Sequence, residues 1–486
     1  MQSLKQLLSE LQGNIVQGAA EQAIASLEFD SRKAKAQTVF VSIVGSQANG
    51  HNYVAQAYAQ GCRAFITQEK VDLAADAFVF QVENTSLALA QLACAFYGHP
   101  SKELKLVGVT GTNGKTTTAT LLHDLFGNLG YKAGLLSTVV NKIGTEPIAA
   151  THTTPDPVQL NALLRKMVEA GCTHCFMEVS SHAIDQHRIG GLDFVAAGFT
   201  NITHDHLDYH HTFAAYLNAK KAFFDGLSAT AFALVNADDK NGMVMLQNTK
   251  AKKMSYALRT PADFKGKIIE NSLAGLLLQI NGKEVHTRLV GAFNASNLLL
   301  VYGIAVSLGE PELEVLRVLS QLTHVAGRFE YVKSPKGITA IIDYAHTPDA
   351  LENVLSTIAA FQKGTTKVYT VVGCGGDRDK EKRPKMAAIA AAMSSQVILT
   401  SDNPRSEDPL QILKDMEAGL DAAAQTHTLS VADRAQAIKM AIMLAQPGDI
   451  LLIAGKGHET YQEIQGVKHD FDDVAITKSL FNQLDK

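Results

Sequence analysis

A three-domain α/β protein is the prediction, and it rests on three observations. Apolar, strand-like runs alternate with helix-like runs through most of the chain, the pattern of mostly parallel sheets covered by helices. The 486 residues are too many for one hydrophobic core and suit two or three. The third observation is the stretch Val107 to Thr118, VGVTGTNGKTTT, in which an apolar strand runs into a glycine turn and then into Lys and Thr at a helix start. That context holds phosphate.

Gly111 and Gly114 let backbone N–H groups close on phosphate oxygens, Lys115 reaches the β- and γ-phosphates, and the Thr116 hydroxyl can coordinate Mg²⁺. Thr112, Asn113 and Thr117 complete the loop. The helix that follows carries Leu121, Leu122, Leu125, Phe126 and Leu129 on one face and stops at Gly130. A general P-loop has glycine five positions before Gly114, where this chain has Val109, so a P-loop of unusual subtype is expected.

Composition narrows the class. With 44 basic and 48 acidic side chains the formal net charge is -4, which disfavours a general polyanion-binding surface, and no nucleic-acid partner is expected. The five cysteines are odd in number and scattered through apolar segments, so no disulfide framework is expected and the compartment reads as reducing. Leu4, Leu7, Leu8 and Leu11 recur at helical spacing without the basic and apolar regions of a signal peptide. No run approaches the length that spans a bilayer. A cytoplasmic protein without membrane insertion is the expectation.

Residues 1–100 read as a small α/β domain, with strands Val39 to Val44 and Phe78 to Val82 and a helix Tyr53 to Gln60 that ends at Gly61. The polar punctuation is Asp30-Ser31-Arg32 and Gly45 to His51, loops at strand ends where α/β sheets bind ligands. Taken alone, these segments are better explained by ordinary turn chemistry. The helix Ser86 to Tyr97 gives way to Gly98-His99-Pro100-Ser101, which marks the boundary.

Residues 101–326 begin with the phosphate loop. Thr151-His152-Thr153-Thr154-Pro155-Asp156-Pro157 precedes a helical run Val158 to Ala170, and its Pro and Asp also suit a plain helix start. The run CTHCFMEVSSH is a buried strand ending in polar groups; its Cys172 and Cys175 have no second cysteine pair with which to hold zinc. Glu178, at the end of that strand, can bind Mg²⁺ directly or through water, or pair with Arg188. The segment Thr200 to Lys221 is dense in polar ligands. His204, His206, Asp208 and His210 approach the HxHxDH run of dinuclear zinc hydrolases, but Tyr209 separates Asp208 from His210, and that fold has no upstream nucleotide loop.

Residues 327–486 alternate Ile338 to Tyr344, Pro348 to Phe361, Val368 to Val372, Val397 to Thr400 and Ile450 to Ala454, a βαβ series that predicts a Rossmann-like domain. Gly373-Cys374-Gly375-Gly376 is not a dinucleotide fingerprint, since the third glycine of GxGxxG would fall on Arg378.

Taken together, GTNGKTT, TTPD, MEVSSH, Gln186-His187-Arg188, HDHLDYH with Lys220 ten residues after its His210, VNADD, GAFNASN, GRFE, DYAHTPDAL, GCGGDRDKEKRP, SDNPRSEDP and GKGHE resemble the Mur ligases. Among these the nearest pattern is that of the members that add the third residue to UDP-N-acetylmuramoyl-L-Ala-D-Glu. The resemblance spans nearly all of residues 28 to 473. It implies a UDP-binding N-terminal domain, a central ATP-binding ligase domain and a C-terminal amino-acid-binding domain. Ser31, Ser46, Gln47 and Ala48 then match the uridine-end contacts, and Thr153, Thr154, Ser180, Gln186 and Arg188 the residues that hold the muramoyl dipeptide. Thr116 and Glu178 match ligands of one Mg²⁺ and His210 a ligand of a second. Lys220 matches a lysine carried as a carbamate, which turns a cation that repels Mg²⁺ into an anion that binds it; the neighbouring Lys221 reads as a surface lysine. With Lys115, Glu178 and His210, Lys220 makes up the implied catalytic set, and its helix position is expected to be solvated. Asn294 and Arg328 match adenine and phosphate contacts, Asp343 the ribose contact, with Arg328 acting once the domains close.

The implied reaction uses ATP and two Mg²⁺ ions to activate the γ-carboxylate of D-Glu as an acyl phosphate, which an amino acid then attacks. Arg378, Asp402, Asn403, Pro404, Arg405, Gly455 and Glu459 match the amino-acid pocket. The Asp402-Asn403-Pro404-Arg405 version goes with meso-diaminopimelate, Arg405 meeting its far carboxylate and Glu459 its amine; the lysine-adding members are the alternative. A monomer is expected. A nucleotide switch would hydrolyse ATP without an amino acid, and a zinc hydrolase would need no ATP.

Overall fold

The computed structural model describes residues 1–45, 48–362 and 364–486. Ser46 and Gln47 of the expected uridine loop lie outside the described residues. Three principal sheets follow one another along the chain. The first has five strands in the order Asn14–Gln17, Phe78–Gln81, Ala64–Thr67, Thr38–Val41, Ser26–Glu28, all parallel except the first pair. Its strands are apolar because both faces are covered: Val39, Val41 and Ile66 pack with Leu4, Leu7, Leu89 and Leu92 on one side, and Phe40 and Phe65 with Val54 and Ala57 on the other.

The second sheet has eleven strands and positions the phosphate loop. Its strand Lys105–Thr110 lies between His174–Glu178 and Ala196–Phe199, parallel to both. The register sets Glu178 opposite Val109 and Phe199 opposite Thr110, so three chain segments leave the same sheet edge side by side. Leu121, Leu122, Leu125 and Phe126 of the helix Lys115–Asn128 are buried against this sheet, as their spacing predicts.

The third sheet has six strands in the order Glu330–Lys333, Thr339–Asp343, Ile450–Ala454, Val368–Cys374, Gln396–Ser401, Thr428–Ser430, with only the first pair antiparallel. The last long strand, Ile450–Ala454, inserts between the first two of the βαβ series, and such reversals of strand order open a crevice at the carboxyl ends.

Several expected elements are shorter than read. The N-terminal leucines form only the helix Leu4–Leu8, which stops at Ser9 before Leu11, and Gln2–Ser3 ahead of it pairs with Ala23–Ile24. The strand expected to reach Val44 ends at Val41, and Val44 instead bridges to Asn49. One element was missed outright: Phe264–Ser272, Gly275–Ile280 and Lys283–Thr287 form an antiparallel meander. Its second turn is Asn281-Gly282, with φ of 46° and 86°, the two-residue hairpin connection that Asn-Gly favours.

Candidate functional site

The phosphate loop is held from below by the chain leaving the neighbouring strand. Thr112 N donates to Asn201 O (2.8 Å), Asn113 N to Asn201 Oδ1 (3.0 Å), and Thr200 Oγ1 to Asn113 O (2.6 Å). Gly114 has φ +88° and lies so near Asn297 Oδ1 that a side chain would collide with it, so both backbone conformation and close approach require glycine. Lys115 folds back over the loop and donates to Gly111 O and Thr112 O, each at 2.8 Å. Burial lowers the pKa of its ammonium. Thr117 is buried in the first helical turn.

Thr116 Oγ1 donates to Glu178 Oε2 (3.0 Å), and the other carboxylate oxygen accepts from Thr138 N (2.7 Å). Glu178 therefore faces the phosphate loop and is not paired with Arg188. That arginine donates to Gln186 Oε1 (2.7 Å) and Thr154 O (2.8 Å), while Thr154 Oγ1 donates to Glu178 O (2.8 Å). Thr153 Oγ1 accepts from Thr138 Oγ1 (3.0 Å), Ser180 caps the helix Ser181–Asp185, and Gln186 Nε2 donates to Tyr209 OH (3.2 Å). The five residues expected at the muramoyl dipeptide thus form one connected group beside Glu178. Ser31 belongs to the N-terminal sheet's loops and donates to Gln56 Oε1 (2.9 Å), and exposed Ala48 accepts from Gly45 N through its carbonyl (3.0 Å).

His210 and Lys220 flank one ring. His210 lies 5.3 Å from the Tyr216 ring centre and the Lys220 ammonium 4.6 Å from it. His210 Nε2 is buried without a partner, and burial lowers its pKa. Lys220 is 1% exposed, which overturns the expected solvated position. The helix Phe213–Asp225 packs this face inward, so Nζ donates to Gly111 O (2.9 Å), the carbonyl that Lys115 also uses. Burial holds its pKa well below the ordinary lysine value, and the nearby Lys115 pushes the same way. Lys221 is not a free surface lysine either, since it forms an ion pair with Asp225 one turn on (2.7 Å). Among the described residues no group of three or more His, Cys, Asp and Glu side chains is gathered to hold a metal ion, and the cysteines are free and buried.

The third sheet's residues close on this site. Arg328 Nη2 donates to Thr116 Oγ1 (3.1 Å), and Asn113 Nδ2 to Asp349 Oδ2 (2.6 Å), so the two units are seated together in this structure. Asp343 is buried, accepts from Phe329 N (2.6 Å), and is pushed up to about 6 by desolvation. Asn294 is buried and donates to Val290 O (2.8 Å).

Across the crevice, Asp402 and Asn403 are buried at the end of Gln396–Ser401, and Asp402 Oδ2 crowds Gly455. Asn403 Nδ2 donates to Glu459 Oε2 (2.8 Å). Arg405, after Pro404, donates through Nη1 to Gly376 O (2.7 Å), and its Nε lies 3.7 Å from Glu463. It therefore already has an anion near it in addition to any carboxylate the amino acid would bring. Exposed Arg378 lines a cavity of about 370 Å³ with Asp208, Asp377, Asp379, Lys380 and Glu407.

Three family models match the chain: Mur ligase family, catalytic domain over residues 23–97; Mur ligase middle domain over 109–305; and Mur ligase, glutamate ligase domain over 327–457. The UDP-N-acetylmuramoyl-L-alanyl-D-glutamate--2,6-diaminopimelate ligase of Phocaeicola vulgatus is 53% identical, over 98% of this chain and 99% of that one. The chain belongs to the Mur ligase family. The ligase of the same name from Bacillus licheniformis is 42% identical over 96% of each chain. A solved structure of a ligase with that name aligns with TM-score 0.70 and 32% identity over 99% of each chain. A MurF from Acinetobacter baumannii, at 18% identity and TM-score 0.65, covers 99% of this chain and 98% of that one and shares the fold.

Within this Mur ligase, three residues at the site were quoted in motifs but not singled out. Asn297 of GAFNASN abuts the phosphate loop. Asp349 of DYAHTPDAL reaches Asn113. Lys456 of GKGHE is fully buried and donates to Asn403 Oδ1 (3.0 Å) and Glu459 Oε2 (3.1 Å). The signal for Lys456 was a lysine between two glycines directly after the apolar strand Ile450–Ala454.

Proposed function

We propose that this Mur ligase joins an amino group of meso-2,6-diaminopimelate to the D-Glu γ-carboxylate of UDP-N-acetylmuramoyl-L-Ala-D-Glu at the expense of ATP, a step in making the peptidoglycan precursor. The observation that carries the reading is the contact of Arg328 with Thr116, which brings the crevice holding Asp402, Asn403 and Glu459 up to the phosphate loop. An amide ligase needs this arrangement, since the activated carboxylate and the amine come from opposite sides.

The division of labour follows the three sheets, with residues 1–100 taking the uridine end, 101–326 the nucleotide and muramoyl dipeptide, and 327–486 the amino acid. Lys115 and the loop amides hold the β- and γ-phosphates of ATP. The γ-carboxylate oxygen bonds to the γ-phosphorus as the bond to ADP breaks, giving an acyl phosphate. A neutral amine adds to the acyl carbon, the intermediate collapses, and inorganic phosphate leaves with the C–O bond electrons. Seating of the third unit over the loop excludes water, which would otherwise hydrolyse the acyl phosphate. Thr116 with Glu178, and His210 with Lys220, fit two Mg²⁺ ions: the first pair is a hydroxyl against a carboxylate, and the second offers a buried nitrogen with no other partner. When bound, Mg²⁺ neutralises charge on the phosphate oxygens. Lys220 suits carbamylation, because only a neutral amine adds to CO₂, and a buried lysine sharing one carbonyl with Lys115 is disfavoured as a cation.

The same reading places the enzyme in the cytoplasm as a monomer, where nucleotide-linked precursors and free amino acids are its substrates. The lysine-adding alternative keeps one observation in its favour, the Glu463 carboxylate near Arg405, which lessens the penalty when the far carboxylate is missing. Phosphate release from ATP should require the UDP-muramoyl dipeptide and amino acid together, with meso-diaminopimelate far ahead of L-lysine. ATP hydrolysis independent of both would sink the reading in favour of a switch.

A further inference from the structure

Tyr344 directly follows the strand Thr339–Asp343, which pairs with Ile450–Ala454. Its ring is packed on by two imidazoles, His346 with centroids 4.6 Å apart and His458 at 5.0 Å. The Arg328 guanidinium carbon lies 4.6 Å from the ring centre. The same arginine reaches Thr116 at 3.1 Å. The hydroxyl lies 3.5 Å from Glu459 Oε1, longer than an ordinary O–H···O hydrogen bond. The backbone is fixed as well: Tyr344 N donates to Gly327 O (3.0 Å), and Gly457 packs so closely that a side chain there would strike the tyrosine.

We propose that Tyr344 is a positioning residue that serves both the nucleotide loop and the amino-acid pocket. Its ring carries Arg328 and its hydroxyl carries Glu459. A flexible arginine crossing between two sheets loses side-chain freedom when it binds phosphate oxygens. An aromatic ring already against it removes part of that loss and adds a cation–π attraction. Glu459 is tied on its other oxygen to Asn403 and Lys456, so a hydroxyl on Oε1 sets the carboxylate's last rotation toward an incoming amine. One side chain thus serves both sides of the site, its ring the nucleotide end and its hydroxyl the amino-acid end.

The inference rests on the proposed function, and the test separates the two. Full-length wild type, Y344F, Y344L, R328A and the Y344L/R328A double variant are compared for kcat and KM toward ATP and diaminopimelate, and for ADP binding by calorimetry. Y344F keeps the ring and loses the hydroxyl, so KM for diaminopimelate should rise roughly 2–10-fold with ADP affinity held within twofold. Y344L should weaken ADP binding roughly 2–30-fold, the range of a partly desolvated cation–π contact, and should add nothing further in the R328A background. If Y344L unfolds, Y344F alone decides through its split between the two substrates. Losses in Y344L and R328A that multiply independently, or a Y344F defect equal at both sites, overturn this assignment of ring and hydroxyl. A wild type that makes no amide from these substrates overturns the functional reading, and the inference with it.

Discussion

Lys220 and Lys456 are both buried lysines at the same site, and the protein treats them in opposite ways. Lys456 sits among anions and acceptors, 3.1 Å from Glu459, 3.0 Å from Asn403 Oδ1 and 3.9 Å from Asp402. Lys220 has a backbone carbonyl, a tyrosine ring and a second lysine nearby, and no carboxylate within ion-pair distance among the described residues. A buried cation is tolerable when paired, so Lys456 acts as a fixed post that orients Glu459 and Asn403. An unpaired one is driven toward neutrality, the form open to chemistry at its nitrogen. Equal burial therefore says little about role; the partners decide.

The largest effect expected from this contrast is on turnover. Lys220→Ala should lower amide formation by roughly 10³-fold or more, as loss of a group that stabilises transition-state charge does, and acetate added in the assay should restore part of it by supplying the missing oxygens. Full activity in this variant removes the carbamate role. Next comes stability. Lys456→Met strands the Glu459 carboxylate and should cost roughly 3–5 kcal/mol in urea unfolding. Lys220→Met leaves no anion behind and should be neutral or stabilising, so equal losses in the two variants would erase the distinction drawn between them.

Substrate selection gives a smaller effect. Arg405→Ala should reduce kcat/KM for diaminopimelate by about 2 kcal/mol, the low end for breaking a charge pair, because Glu463 already shares the arginine. L-lysine use should move much less. For the same reason, the preference of the wild type should fall short of the roughly 10⁴-fold that a wholly unpaired site gives.

The smallest effect concerns the outer wall of the pocket. Arg383 donates to Glu407 and Asp415 at 2.8 Å each, and that guanidinium pulls the Glu407 carboxyl down to about 2 from 4.5. A depressed carboxylate stabilises the fold above its unfolded pKa, and the contribution fades as pH falls from 4.5 through about 2. Glu407 lies at the edge of the open cleft, where solvent screening leaves roughly 1 kcal/mol. Glu407→Gln should flatten the acid limb of the melting-temperature profile by that amount, and an unchanged profile would remove Glu407 from the account.

How legible each part was depended on whether its signal is local. The phosphate loop, its helix and the strand ending in Glu178 were readable because turn glycines, apolar periodicity and a terminal polar residue lie within a few positions of one another. The Asn281-Gly282 hairpin has an equally local signal, an Asn-Gly pair at its turn, and it marks an antiparallel meander that βαβ alternation does not predict. Lys220 was placed by spacing from His210, but its exposure was misjudged, since which face of the helix Phe213–Asp225 turns inward is set by the packing of Tyr216, Phe223 and Phe224.

By itself the sequence determined the α/β architecture, the order of three sheets and the residue types that gather at strand ends, all consequences of short-range sterics and hydrophobic pattern. The partners were decided only by tertiary structure. That Glu178 faces Thr116 rather than Arg188, that Lys115 and Lys220 share one carbonyl, and that Arg328 rests on Tyr344 while touching Thr116 depend on parallel registers and on two sheets meeting. Contacts between residues separated by 62, 109 or 212 positions leave no periodicity in the chain, because their geometry arises only when distant segments are set side by side.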